Sequence, residues 1–248
     1  MGCDPLNPGK KSDGTTAFTC MPDSLKHTVT LSEYLIDRHE VTNAEYRQCV
    51  SMGKCHEPSS VKSRGYTDYW TNLFYSDYPV TSVSWLSAQN YCEWRGKRLP
   101  TEAEWEKAAR GAIGTRPYPW GDTLSADTTT QDDYCYYLTA KPFTASECNP
   151  NDGTSKVVED LKGNSPYGIT DMLGNVWEWV GDWYQADYYK EGTVNPTGPA
   201  NAVSGNNKII RGGGSASGLA NLNISLRIPT DAIQSEETFG FRCVDPTP

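Results

Sequence analysis

Three stretches of the chain carry a helical rhythm of apolar positions, and all of them lie before residue 112. Thr42-Asn43-Ala44-Glu45 has the spacing of a capping box. The Thr42 hydroxyl can accept from the N–H of Glu45 while the Glu45 carboxylate reaches back to the N–H of Thr42. A helix should follow and end near Gly53. Ser84 is a good N-cap for a second helix through Arg95, with Gly96 placed to end it. Trp85, Ala88, Cys92 and Arg95 recur at three- and four-residue spacing, so they share one face. Pro100-Thr101-Glu102-Ala103-Glu104 is a second capping box, and the third helix ends by Gly111. Acidic residues in its first turn complement the helix dipole. His27–Leu31 and Tyr34–Ile36 read as strands. Residues 1–24 read as a loop, and 56–82 as polar, aromatic and irregular. Past 112 the helical rhythm stops, and short aromatic runs alternate with Gly, Pro, Asn and Asp. Gly205-Asn206-Asn207 is a turn, and Lys208–Arg211 a short strand leading into glycines. Early helices and a long irregular β half predict an α+β fold in a single domain over 1–248.

Composition narrows the class. The chain has 248 residues, 37% hydrophobic, with 8 Trp and 15 Tyr, enough for a packed core and too much for a disordered chain. A formal charge of -9 argues against nucleic acid or an anionic membrane as partner. No apolar run approaches membrane-spanning length. The eight cysteines (Cys3, Cys20, Cys49, Cys55, Cys92, Cys135, Cys148, Cys243) form no CxxC pair, and His27, His39 and His56 are the only histidines. Disulfides in an oxidising compartment fit this pattern better than zinc. Proximity alone pairs Cys3–Cys20, Cys49–Cys55 and Cys135–Cys148. Met1-Gly2-Cys3-Asp4 lacks the basic start and apolar core of a signal peptide. The expected location is extracellular, cell-surface or periplasmic.

Ordered motifs over most of the chain carry a resemblance. They are Tyr34–Asn43, Pro79-Val80, Gly96–Glu106, Tyr118-Pro119-Trp120-Gly121, Tyr167–Trp179, Arg211-Gly212-Gly213-Gly214-Ser215 and Gly240-Phe241-Arg242-Cys243. Together they resemble the formylglycine-generating enzyme (sulfatase-modifying factor) family. The resemblance implies a compact, loop-rich α+β fold related to C-type lectins. It implies a Cys92–Cys243 disulfide. It also implies that a Met-Gly pair lies inside the first strand region, so Met1 is expected to be internal to a longer precursor.

The resemblance further implies two kinds of metal chemistry. A calcium site would use Asp171, the carbonyls of Gly174 and Val176, and Glu178, oxygen donors suited to a hard ion. The alternative is that Asp171 and Asn175 cap the turn while Glu178 pairs with an arginine. A second calcium site would fall near Cys148–Asp152, where the match is poor. The family's enzymes carry two copper-binding thiols between the RGG and GFR motifs, at positions near Ser217 and Leu222 here. Residues 212–242 contain no cysteine, and neither Ser nor Leu replaces a thiolate for Cu(I), so copper is not expected.

The expected function is therefore a secreted, non-catalytic, calcium-stabilised binding or assembly module. Its partner would be a protein, a glycan or another copy, met through Ser215, Ser217, Asn221, Leu222 and Asn223. Two other readings stand beside it: a copper- and oxygen-dependent formylglycine-generating or related oxidative enzyme, and a retroelement-diversified lectin-like receptor. The aromatic residues Tyr134, Tyr136, Tyr137, Trp183, Tyr184, Tyr188 and Tyr189 suit either ligand stacking or packing, and packing is the expectation. Arg227 and Arg242 are expected to bind carboxylates or carbonyls structurally. Asn223-Ile224-Ser225 is a glycosylation sequon.

Overall fold

Both capping boxes form. The Thr42 side chain accepts from Glu45 N while Glu45 accepts from Thr42 N, and α1 runs Asn43–Ser51. Ser84 accepts from Ser87 N and starts α2, Trp85–Trp94. Thr101 and Glu104 close the second box and start α3, Glu102–Arg110, ended by Gly111 at φ 90. The computed structural model describes residues 1–10, 14–112, 114–123, 154, 156–157, 163–189, 192–215, 217 and 221–246. Cys135, Cys148, Tyr134, Tyr136, Tyr137 and the second calcium segment lie outside them.

The strands are β1 Val29–Thr30, β2 Trp177–Trp183, β3 Thr193–Val194, β4 Asn207–Arg211, β5 Ile228–Asp231 and β6 Phe239–Gly240. A four-stranded sheet has the order β5-β4-β2-β6, and β1 pairs separately with β3. β2 is antiparallel to β4 and parallel to β6. Two sequence expectations need correction. The strand expected over His27–Leu31 shrinks to Val29–Thr30. Tyr34–Ile36 forms no strand; Ile36 makes a single bridge to Val244. Backbone pairing there goes to the C-terminal segment one bond at a time, so no ladder develops. The face predicted for α2 also shifts: Ala88, Tyr91 and Cys92 are buried, while Arg95 is exposed.

The sheet has a core on each face. On β2, Trp179 joins the cluster with Tyr46, Ala88, Cys92 and Phe241, and Val180 joins the cluster with Trp105, Met172, Leu222 and Ile224. On β4, Ile210 and Ile209 divide the same way. This is the period-2 alternation of a strand, covered on both sides. Disulfides Cys3–Cys20, Cys49–Cys55 and Cys92–Cys243 form as expected. Among the described residues, no helix is long and apolar enough to cross a membrane.

Candidate functional site: the closing segment

The closing segment, residues 211–243, is held by three buried arginines. Arg211 ends β4 and donates from Nη1 to Glu102 Oε1 at 2.9 Å and from Nη2 to Glu106 Oε2 at 2.7 Å. Its Nη2 also reaches the Ile224 carbonyl at 2.6 Å. Arg227 grips the other side of Glu102, Nε to Oε1 at 2.7 Å and Nη2 to Oε2 at 3.0 Å. Glu106 also pairs with Arg110 at 3.0 Å. Glu102, Glu106 and Arg110 recur every four residues, so one stripe of α3 turns a polar face inward. Such a stripe survives burial because every carboxylate meets a guanidinium.

Arg242 anchors the far end. Its Nε and Nη2 donate to the two oxygens of Glu178, each at 2.7 Å. It also donates to the carbonyls of Asp37, Arg38 and Thr170. Trp105 Nε1 donates to Glu178 Oε2 at 2.9 Å. Burial disfavours the Arg242 charge, but the Glu178 carboxylate outweighs it and raises the guanidinium pKa above its usual value. Arg227 and Arg242 therefore have the structural roles their positions implied.

Between the arginines, the glycines serve close approach. Gly212 and Gly213 have φ of 89 and 79, the left-handed region. A Cβ on Gly213 would lie 2.7 Å from Leu222 Cδ2. Ser217 Oγ accepts from Gly214 N at 2.9 Å, and Ser217 N donates back to the Gly214 carbonyl. The Ser217 hydroxyl thus closes a turn. Leu222 is 1% exposed and packs with Trp105, Met172 and Ile224 in the core.

The partner surface expected over this segment needs revision. Asn221 is exposed and Ser217 half-buried, but Ser215, Leu222 and Asn223 are buried. The sequon loses its basis too: Asn223 accepts from Ser225 Oγ at 3.0 Å and is 4% exposed.

The calcium donors divide. Asp171, at φ 57, and Gly174, at φ 98, shape the turn before β2. Asp171 Oδ2 is buried with no hydrogen-bond partner, as is Glu40 Oε1. Burial, against the pull of Arg242, pushes the Asp171 carboxyl up to about 7, and Glu40 is also raised, by burial and by Asp171. An orphaned buried oxygen is what a cation would satisfy, so Asp171 fits. Glu178 does not fit in this arrangement, since Arg242 and Trp105 take three of its acceptor directions.

His27 and the described aromatics Trp183, Tyr184, Tyr188 and Tyr189 make ring contacts of the packing kind. His27 stacks on Tyr189 at 4.9 Å. Arg227 lies over Tyr184 and Tyr189 at 5.2 and 5.3 Å. Trp183 stacks on Trp85, with Lys208 Nζ 3.8 Å from each ring centre. The sequence marked Arg211 only as the start of a glycine motif and Lys208 only as the start of a strand, and it gave Asp182 no role. The only signal they gave was charge inside or beside an apolar strand.

Short helices, a small mixed sheet and a long arginine-anchored closing segment define a loop-rich α+β domain of the lectin-like kind. The sulfatase-modifying factor enzyme 1-like domain matches residues 6–247, and the chain belongs to that family. The formylglycine-generating enzyme of Streptomyces coelicolor is 35% identical over 281 residues, covering 98% of this chain and 85% of the enzyme. The serine/threonine-protein kinase pkn1 of Chlamydia pneumoniae is 32% identical over 227 residues, covering 88% of this chain. The solved structure of PvdO from Pseudomonas aeruginosa superposes with a TM-score of 0.70 at 22% identity, covering 98% of this chain and 89% of that one. The chain spans 33% of the kinase and 45% of the mouse formylglycine-generating enzyme.

Proposed function

We propose that this chain is a non-catalytic member of its family, serving as a secreted binding or assembly module. One observation carries the reading: Ser217 and Leu222, which fall near the family's two thiol positions, are used for structure. Ser217 closes the Gly214 turn, and Leu222 fills the core beside Trp105. A thiol pair for Cu(I) has no counterpart between Arg211 and Arg242. Three disulfides support an oxidising compartment, and with it secretion. The partner is a protein, a glycan or a second copy, and of the five residues expected to meet it Asn221 and Ser217 are the ones left accessible.

Calcium belongs to this reading as a stabiliser. Asp171 would hold it with the carbonyls of Gly174 and Val176, and the ion would supply positive charge to a turn rich in buried carboxylates. Glu178 stays with Arg242. Melting with and without calcium tests that part. The non-catalytic reading is tested by offering the disulfide-intact protein a Cys-x-Pro-x-Arg peptide with copper and oxygen and looking for an aldehyde by mass spectrometry.

A further inference from the structure

A concave site lies at the opposite end of β2 from the closing glycines. Gly214 contacts Trp177 at the start of the strand, whereas this cavity is lined by Gly181 and Asp182 at its end. Asp182 lies five residue steps along the strand from Trp177, roughly 16 Å at the usual rise. The cavity has a volume of about 610 Å³. Its walls come from α2 through Trp85, Gln89 and Glu93, and from the entry to α3 through Arg98, Thr101 and Glu104. The rim is closed by segments 31–33 and 195–197. Asn195 ties that rim together, accepting from Ser32 N at 2.7 Å and donating to Ser32 Oγ at 2.9 Å.

The charges around this cavity are unbalanced. Glu33, Glu93, Glu104 and Asp182 line it, and among the described residues Arg98 is the only basic one in its lining. Arg98 is already engaged by Glu104, with two contacts of 2.7 Å. Asp182 is 1% exposed. Its Oδ2 accepts from Glu102 N at 2.7 Å, while its Oδ1 is buried with no hydrogen-bond partner. Lys208, a buried ammonium on the neighbouring strand, does not take that oxygen: its Nζ donates to the Gly181 carbonyl at 2.8 Å. Gly198 packs against the Asp182 side chain, where a Cβ would lie 2.7 Å from Asp182 Cβ and 2.9 Å from Oδ1. Burial first, and Glu102 second, push the Asp182 carboxyl up to about 7. The orphaned acceptor, the acidic rim and the apolar walls of Trp85, Leu99 and Pro196 define what would fit. An occupant needs a cationic, multiply donating head on an aliphatic arm.

We propose that this cavity binds a guanidinium or ammonium group carried on a flexible aliphatic arm, with Asp182 as its buried partner and Glu33 and Glu93 at its mouth. The site stands apart from the closing segment, so it does not depend on the catalytic status of the chain. Calorimetric titration of the disulfide-intact protein with arginine amide should give saturable one-site binding, while norleucine amide should give none. Asp182→Asn keeps an acceptor for Glu102 N and should weaken arginine amide roughly tenfold, as loss of one charged hydrogen bond does. Glu33→Gln with Glu93→Gln, at exposed positions that cannot disturb the core, should weaken it as well and keeps the proposal testable even if Asp182→Asn fails to fold. A Gly-Arg-Gly peptide and 1,5-diaminopentane separate the sources. Binding of the peptide points to a partner's side chain, and binding of the diamine alone to a free amine. Equal binding of arginine amide and norleucine amide, absence of saturation, or unchanged affinity in both variants would overturn the proposal.

Discussion

Arg242 is wholly buried and donates to Glu178 and to three backbone carbonyls. Its replacement leaves a buried carboxylate facing Glu40 and Asp171 with no counter-charge, the situation in which one half of a buried pair is most destabilising when lost. Arg242→Met should cost about 3–5 kcal/mol and lower the melting temperature on the order of 10 °C, read by calorimetry. Glu106 shows the complementary case. Burial alone would raise its pKa, but Arg110 and Arg211 outweigh burial and hold it at about 2, against an ordinary 4.5. A pKa depressed by folding contributes stability that is present above 4.5 and lost as pH falls through about 2. The stability gap between the natural chain and Glu106→Gln should therefore narrow steadily as chemical denaturation is repeated from pH 5 down towards 2. The structural role of Arg242 was legible in the sequence, whereas the burial of Glu106 was not. A Glu every fourth position on α3 has the spacing of a solvated face. Only the arginines of a segment a hundred residues later turn that face inward.

At the scale of elements, the helices were legible and most strands were not. Thr42–Glu45, Ser84 and Thr101–Glu104 satisfy orphan N–H groups with neighbours in sequence, so their helices announce themselves locally. β4 was visible as an apolar run leading into glycines. β2 was not, because Glu178 and Asp182 are charged yet buried, so the polar positions of Trp177–Trp183 mark no solvent face. β6 is two residues long and pairs in parallel with β2 from sixty residues away, which no local pattern encodes. Ser217 and Leu222 were legible as positions, but the burial of Leu222 and Asn223 was not, since it depends on how the Gly212-Gly213 turn folds back. The Cys92–Cys243 bond joins α2 to the C-terminal segment across 151 residues. Cys92→Ala with Cys243→Ala should destabilise by about 2–5 kcal/mol, seen as a lower denaturant midpoint without reductant.

At the scale of the whole molecule, disulfides and buried ion pairs cross-link a family scaffold. Calcium acting through Asp171 should shift the folding equilibrium by mass action. At a hundredfold excess over Kd the gain is about 2.7 kcal/mol, a rise in melting temperature of roughly 5–10 °C. Asp171→Asn should abolish the rise, and an unchanged curve in the natural chain with calcium or chelator would mean that calcium plays no part. The non-catalytic reading of the closing segment stands or falls on the peptide assay. Purified protein with its disulfides intact, loaded with copper and supplied with oxygen, is incubated with a Cys-x-Pro-x-Arg peptide beside an active family enzyme. The peptide's cysteine should stay intact with this chain while the control converts it. Conversion to the aldehyde by this chain would contradict the reading.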